Sequence, residues 1–383
     1  MNFDLTDEQT MIRDMSRNFA RKVLAPRAEE MERTGAYPYD IIEQMAELGM
    51  MGIIIPEAHG GSGGDWVSMN LCMEELARGD MAVSALVEVT VIVAHELHMF
   101  GTEEQKRQYL MPLARGKEIG AFGLTEPDSG SDSGALRTAA VLDGDEWVIN
   151  GTKQFITNIG LDNSTLVLAA ARIGRQESKK RKIAAFIVPK SAPGFKLGKR
   201  YDKMAWHASA THEIIFDNCR IPRENLLGDP ERGFAQHLAT LQAGRISIAA
   251  IAVGSAQACF EEALRYSKQR AQFGQPIFNH QAVHFKLADM AVGIEMARNL
   301  YLKASWLKDH DRPHQFEACA AKLYASEMLE KTASNAVQIH GGYGCMNEYP
   351  VSRYYKGNKI LQIVEGTSEV QRMVIGRILA KMN

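Results

Sequence analysis

From Gly233 to the C-terminus the apolar residues recur at helical spacing with hardly a break, and this limits the fold more than any other feature. Residues 246–266, 281–307, 316–339 and 369–380 are long, rich in Ala and Met, and strongly periodic. Helices of that kind bury their apolar faces best against one another, which predicts an antiparallel bundle. The opening third is helical too. Thr6-Asp7-Glu8-Gln9 and Thr102-Glu103-Glu104-Gln105 both have the capping-box spacing, in which Thr and Gln side chains satisfy free backbone N–H groups. Met11, Met15, Phe19 and Val23 follow the first box at helical steps, and Pro26 should kink or interrupt that helix. The pattern resumes over residues 41–48, with Gly49 as its stop, and Asp65 opens a further helix carrying Leu71, Cys72, Glu75 and Leu76.

Near Ala121 the period changes. Val141-Leu142-Asp143-Gly144 and Trp147-Val148-Ile149-Asn150-Gly151 place turn signals among β-formers, and residues 166–170, 183–188 and 213–216 are further strands. Pro189, Pro193, Gly194 and Gly198 punctuate them. No helix intervenes, so an antiparallel sheet or barrel is expected rather than βαβ units. The fold class is therefore α+β, mostly α. Its expected domains are helical over 1–120, β over 121–230 and a four-helix bundle over 231–383, within the two to three that 383 residues suggest.

Composition removes several classes of function. With 44 basic and 46 acidic side chains the net charge is −2, so neither nucleic acid nor an anionic membrane is an expected partner. No run of 18 apolar residues occurs; stretches such as 50–55 and 166–171 are core-sized, and no membrane-inserting helix is expected. Met1-Asn2-Phe3-Asp4-Leu5 lacks the layout of a signal peptide. Five cysteines, scattered and never paired as C-x-x-C, argue for a reducing, cytoplasmic setting without disulfides or zinc knuckles.

Generic motifs carry little. Gly60-Gly61-Ser62-Gly63-Gly64 matches a nucleophile elbow formally but reads as a glycine loop before a helix cap. His95 and His98 lack zincin spacing and a third ligand, and His310 and His314 flank Pro313 in a charged loop, so no metal site is expected. Neither a G-x-G-x-x-G after a strand nor a G-K-[ST] loop is present.

Three segments hold more chemistry. The stretch from Ala121 to Asp132, with Thr125, Glu126, Ser129, Gly130 and Ser131, offers hydroxyls and backbone donors that suit a flat heterocycle and a pyrophosphate, or an ordinary polar turn. Gln338-Ile339-His340-Gly341-Gly342 ends a long helix with an amide and open backbone, or simply stops it. In Ile363-Val364-Glu365-Gly366-Thr367-Ser368-Glu369, a lone acid follows an apolar run and precedes a helix cap. A carboxylate beside apolar residues has a raised pKa and suits a general base; the plainer reading is a helix-start charge.

Together these segments resemble the acyl-CoA dehydrogenase family over nearly the whole chain. Ile55-Pro56-Glu57 with Gly60-Gly61, and Glu74-Glu75-Leu76-Ala77, are similar to its N-terminal signature. Leu124-Thr125-Glu126-Pro127, with Ser129-Gly130-Ser131-Asp132, resembles its flavin-and-substrate loop, and Asn150 to Asn158 its second flavin strand. Arg270-Ala271-Gln272-Phe273-Gly274 with Gln281, Gln338 with Gly341-Gly342, and Glu365-Gly366-Thr367-Ser368-Glu369 complete an ordered set.

The resemblance implies FAD as cofactor, an acyl-CoA substrate oxidised between its α and β carbons, a homotetramer, and an electron-transferring flavoprotein as acceptor. It implies that Glu365 removes the α-proton while the β-hydride goes to the flavin, the thioester carbonyl being held by the Glu365 N–H and a ribityl hydroxyl. By position, Phe122, Leu124, Thr125, Gly130, Ser131, Phe155, Ile156 and Thr157 would line the flavin. Arg270, Gln272, Phe273, Gln281, Gln338, Gly341 and Gly342 would reach the FAD of a neighbouring subunit, and Thr367 and Glu369 would complete the cofactor set. Ser131, Glu88, Gln242, Gly244, Arg245 and Gly366 would contact the acyl-CoA.

The chain departs from the family pattern in four places. Gly244 stands where some relatives carry their catalytic glutamate, Val364 where many have Tyr, Lys356-Gly357-Asn358 where an Arg-Asp pair is usual, and His207 where an arginine is common. Glu88 lies near the expected base of the acyl pocket, either as a polar group ending the cavity or as a second acid for an unusual, cyclic acyl group. No arginine near Val83 would meet a distal carboxylate, so an unbranched or cyclic acyl group of short-to-medium size is expected rather than glutaryl. The rivals are an acyl-CoA oxidase, disfavoured by the short chain, and a non-catalytic flavin- or CoA-binding scaffold, disfavoured by the intact Glu365 motif.

Overall fold

The computed structural model describes residues 4–174 and 182–382; Met1, Asn2 and Phe3 of the N-terminal reading lie outside them. Both capping boxes form. Thr6 starts α1 (Asp7–Phe19) and, after α2 to α5, Thr102 starts the short α6 (Glu103–Gln105). Pro26 does not break the first helix where it stands. The chain widens into a π turn over Ala20–Leu24, and Pro26 then falls in the first turn of α2 (Ala25–Thr34). A ring without an N–H is tolerated there, so the irregularity appears one turn upstream of the proline. α3 (Tyr39–Glu47) ends ahead of Gly49, which takes φ 71°. Asp65 and Asp80 cap α4 (Trp66–Gly79) and α5 (Met81–Phe100), accepting N–H groups at 2.7 and 2.9 Å. α7 (Met111–Ala114) leads into the sheet.

The strands are β1 (Ile119–Gly123), β2 (Ala139–Asp143), β3 (Glu146–Thr157), β4 (Ser164–Ile173), β5 (Lys182–Pro189), β6 (Phe195–Arg200), β7 (Thr211–Pro222) and β8 (Leu226–Leu227). They run in the order β6-β7-β3-β2-β4-β5-β8, with β1 also beside β4. Among the described residues nothing joins β6 to β8, so the domain is an open sheet and not a barrel. Nor is it wholly antiparallel: β1 and β2 both run parallel to β4. β5 takes one edge of β4, so β1 and β2 share the other in series, Gly123 opposite Ala169 and Ala139 opposite Arg172. The intervening residues, 124–138, are forced out of the sheet as a loop. That loop is the one singled out from sequence.

The C-terminal part consists of α8 (Gly233–Gln269), α9 (Gln281–Asp309), α10 (Gln315–His340), α11 (Pro350–Ile363) and α12 (Ser368–Leu379). α11 is an addition to the four helices read from periodicity. Its Tyr-Tyr-Lys-Gly-Asn centre hides the apolar stripe, yet Val351, Tyr354 and Leu361 are fully buried. One apolar core runs through α1–α5 and α8–α11, while separate clusters fill the two faces of the sheet. α5 and α8 are long and apolar enough to cross a membrane, against expectation, but most of that length is buried in the protein. The Glu74-Glu75 signature ties these layers together. Glu74 accepts from Arg298 at 2.8 Å and from the Tyr301 hydroxyl, and Glu75 from Arg17 and Arg78.

Candidate active site

α11 stops at Ile363, and the chain turns through Val364-Glu365-Gly366 before Thr367 caps α12 by accepting the Val370 N–H at 3.3 Å. Glu365 occupies the left-handed region at φ 53°, followed by Gly366 at φ 95°. A side chain resists that conformation by roughly 1–3 kcal/mol, so the surroundings must impose it. Two buried donors do so. Lys322 Nζ donates to the carbonyls of Gln362 at 3.1 Å and Gly366 at 2.8 Å, and Gln371 Nε2 donates to those of Gly366 at 2.8 Å and Glu365 at 3.3 Å. Burial lowers the Lys322 ammonium to about 8. Sequence reasoning gave Lys322 no role. Its signal was a lysine on the apolar face of α10, beside Ala318, Cys319, Ala321 and Ala325.

The Glu365 side chain folds back over α8, where a β-carbon on Gly244 would sit 2.2 Å from Oε2 and 2.6 Å from Oε1. Glycine at 244 therefore makes the room that the carboxyl occupies. A glutamate at 244 and one at 365 would contest the same volume, which explains why this departure accompanies an intact Glu365 motif. Arg245, next on α8, is buried; its Nη1 donates to Cys319 Sγ at 3.3 Å and its Nε has no partner. Glu88, buried on α5, comes near enough to Glu365 for each carboxyl to influence the ionisation of the other. Burial, then the Glu365 charge, hold Glu88 well above the carboxylate range. Glu365 is also raised by burial, against the influence of Glu88 and the charges of Arg245 and Lys322.

The projecting loop is fastened by a buried ion pair. Lys153 Nζ, fully buried on β3, lies 2.8 Å from Glu126 Oε1 and 3.1 Å from the Leu124 carbonyl. Glu126 also accepts the N–H groups of Arg137 and Thr138, and Gln154 N–H donates to Thr125 O at 2.9 Å. Burial lowers Lys153 to about 8, while for Glu126 burial is outweighed by Lys153 and the loop donors, leaving it below its ordinary range. Thr125 is thereby set beside β3, Ser129 is buried inside the loop, and Gly130 and Ser131 are exposed at its tip. Nothing lies within 4 Å of where a Gly130 β-carbon would be. At the end of β3, buried Asn158 donates to Leu86 O at 3.0 Å and Gly120 O at 3.1 Å, joining the strand that carries Thr157 to the helix that carries Glu88.

The remaining residues fall into two groups. Phe155, at φ 60° in a bulge of β3, is exposed and lies 5.0 Å from the Tyr201 ring, while Phe122 packs edge-on to His237. Ile156 instead points into the sheet core, so only its backbone is available to a ligand. Arg270, Gln272, Gly341 and Gly342 line a separate cavity of about 480 Å³ that contains none of the residues around Glu365. Close by in sequence, Phe273 is 93% exposed at φ 53°. Thr367 serves as a helix cap, Glu369 is exposed on α12, Gln242 is half-buried on α8, Gln281 opens α9, and Gln338 lies in the last turn of α10. Two of the other departures also have a physical basis. His207 binds Glu32 through Nδ1 at 3.0 Å, and Trp206 fills the space over Gly357, where a β-carbon would meet Nε1 at 2.8 Å. An aspartate at 357 would collide with that indole. His95 packs on Trp66, and His98 neighbours His59.

A carboxyl with a raised pKa at a left-handed turn and a projecting loop that bears hydroxyls and glycine make up the candidate active site. The N-terminal, middle and C-terminal domains of acyl-CoA dehydrogenase match residues 6–117, 121–219 and 231–380. The chain belongs to the acyl-CoA dehydrogenase family, whose members are FAD-dependent oxidoreductases. It is 50% identical to a probable acyl-CoA dehydrogenase of Bacillus subtilis over 100% of both chains. The solved butyryl-CoA dehydrogenase of Megasphaera elsdenii is 42% identical, covers 100% of both chains and superposes with a TM-score of 0.96. A glutaryl-CoA dehydrogenase of Mycobacterium smegmatis in complex with FADH2 is 30% identical, over 99% of this chain and 96% of that one, with a TM-score of 0.93.

Proposed function

We propose that this chain oxidises a short, unbranched acyl-CoA to its 2-enoyl-CoA with Glu365 as the base. The observation that carries this reading is the Glu365 carboxyl itself, seated in the space that Gly244 opens and presented by a turn that Lys322 and Gln371 hold. FAD, when bound, supplies the acceptor for the β-hydride. This chain's residues do the rest. Glu365 takes the α-proton, Thr125 and Thr157 orient the flavin ring, Ser131 and Arg245 fix the CoA arm, and the raised pKa of Glu365 matches it to a weak carbon acid. Glu88, meeting Glu365 from α5, closes the acyl pocket close to the reacting carbons and supports a short chain. A similar butyryl-CoA enzyme points the same way. Anaerobic titration of the purified protein against a panel of acyl-CoAs tests this: butyryl-CoA should bleach the flavin fastest. A protein that binds FAD but is bleached by no acyl-CoA would leave the scaffold reading instead.

The finer assignments belong to the same proposal. The chain divides into domains over 1–120, 121–230 and 231–383 and works as a homotetramer in the cytoplasm. Arg270, Gln272, Phe273, Gln281, Gln338, Gly341 and Gly342 then serve the cofactor of a neighbouring subunit. The exposed Phe273 ring and the open cavity beside Arg270 support this, since both are accessible from outside the chain. Electrons leave to an electron-transferring flavoprotein. Rapid turnover with oxygen or NAD as sole acceptor would overturn that choice. Arg270→Ala is expected to lower the FAD retained after gel filtration, measured as the flavin-to-protein absorbance ratio, because a charge-assisted contact to a pyrophosphate is lost. Gly244→Ala is expected to push the Glu365 carboxylate aside. A displacement of that size costs on the order of 10²-fold in flavin reduction. The melting temperature should hardly change, because the group that yields is the mobile end of a side chain.

A further inference from the structure

Two helices of the candidate site are joined by a polar pair that the proposed reaction leaves unused. Glu96 on α5 and His237 on α8 are both fully buried; His237 Nδ1 donates to Glu96 Oε2 at 3.1 Å and lies 2.8 Å from Oε1. Among the described residues, His237 is the only basic side chain within 4.0 Å of that carboxyl. His237 Nε2 is buried without a hydrogen-bond partner, so Glu96 alone fixes how the imidazole is turned. An apolar pair would join α5 to α8 without the cost of burying a carboxylate. What the hydrogen bond adds is orientation, because it sets the plane of the ring.

The Phe122 ring stands edge-on to that imidazole, with centroids 5.0 Å apart and planes at 80°. Phe122 lies on β1 at the root of loop 124–138, just ahead of Thr125. One turn earlier on α8, Phe234 meets the far limb of the same loop. It packs with Leu124 against the buried Leu136 and lies 3.9 Å from where a Gly134 β-carbon would be. Phe234 and His237 stand at i and i+3 and so share a face of the helix. Two turns past His237, about 10 Å along the axis, Gly244 receives the Glu365 carboxyl. One helix thus meets the loop at its start and the base further on.

We propose that Glu96 and His237 are a positioning pair that registers the cofactor loop against the base. The carboxylate turns the imidazole, the imidazole seats Phe122, and Phe122 fixes the root from which Thr125 and Ser131 project. This deepens the function proposed above and rests on it, since there Thr125 orients the flavin, Ser131 fixes the CoA arm and Glu365 is the base. Proton abstraction and hydride transfer need base, substrate and acceptor in line, and a misplacement of about 1 Å costs on the order of 10²-fold. Neither member of the pair takes part in the chemistry.

The test compares the FAD-loaded wild type with Glu96→Gln, His237→Asn and the double variant Glu96→Leu/His237→Leu. Gln keeps an acceptor for the Nδ1–H, and this variant should match wild type. Asn keeps a donor for Glu96 but has no ring. The leucine pair removes ring and carboxyl together, and it should melt near the wild type because apolar side chains replace a buried pair at little cost. Both ringless variants should change the visible circular dichroism of bound FAD and slow its reduction by saturating butyryl-CoA on the order of tenfold. Phe122→Leu should give a similar loss, and joining it to His237→Asn should add less than about twofold, because both break one route. Wild-type spectra and rates in the ringless variants, or fully additive losses, overturn the proposal and leave the pair as a tie between helices. So does a Glu96→Gln variant that loses as much as they do. Should the leucine pair fail to fold, His237→Asn and its combination with Phe122→Leu decide alone. Failure of the underlying reading looks different: no acyl-CoA would then bleach the wild-type flavin, while the circular dichroism, which needs no substrate, would still separate the variants.

Discussion

Glu365→Gln is expected to slow flavin reduction by a good substrate by at least ~10²–10⁴-fold, the usual worth of a general base. The amide keeps the shape of the side chain, and the backbone turn that presents it is held by Lys322 and Gln371 through carbonyls the substitution leaves in place. Substrate binding should therefore change far less than the rate, a pattern that separates loss of a proton acceptor from loss of the fold. Stopped-flow bleaching gives the rate, and the spectral shift on titrating acyl-CoA gives the affinity. Glu88→Gln is the comparison, since it should alter acyl preference more than the rate with the best substrate. The opposite result, an inert Glu88→Gln and an active Glu365→Gln, would move the base to α5.

Lys153→Met should have the largest effect on stability. The substitution strands Glu126, 5% exposed, without its counter-charge, and breaking one partner of a buried ion pair typically costs about 3–5 kcal/mol. Here the loss falls on the loop between β1 and β2, whose Leu124 carbonyl also loses its donor. FAD retention should fall together with the melting temperature, and added FAD should restore part of the latter by mass action. Adding Glu126→Gln to Lys153→Met should recover much of the stability, because the uncompensated charge is then gone. Thermal melts of the single and double variants, with and without FAD, measure both effects. Equal melting temperatures for wild type and Lys153→Met would show that the pair does not hold the loop.

Much of the candidate site was legible as motifs. The Glu365 segment, the Thr125 loop and the Arg270 stretch are continuous in sequence, and each carries residue types whose chemistry is visible without coordinates. Lys153 and Lys322 were not legible as supports. A buried lysine is indistinguishable from a surface one until the carboxylate or carbonyls it faces are placed, and Lys153 faces a loop 27 residues away while Lys322 faces a turn 44 residues away. The barrel alternative failed for a related reason. Alternation and turn signals mark strands, but whether a sheet closes depends on which edges pair, and β1 and β2 lying in series along β4 is a register no local pattern encodes.

Periodicity, capping boxes and turn residues determined by themselves that the chain folds as helices, then strands, then helices, because those signals act over a few residues and need no partner. The same local chemistry marked Glu365 as an acid in an apolar setting. Only the tertiary structure decided what that acid meets. Gly244 on α8 opens the space for its carboxyl, the buried Glu88 on α5 comes near it, and Lys322 on α10 holds its turn. Those three come from helices far apart in sequence, and the electrostatics of a buried carboxylate is set by whatever packing brings within hydrogen-bond reach.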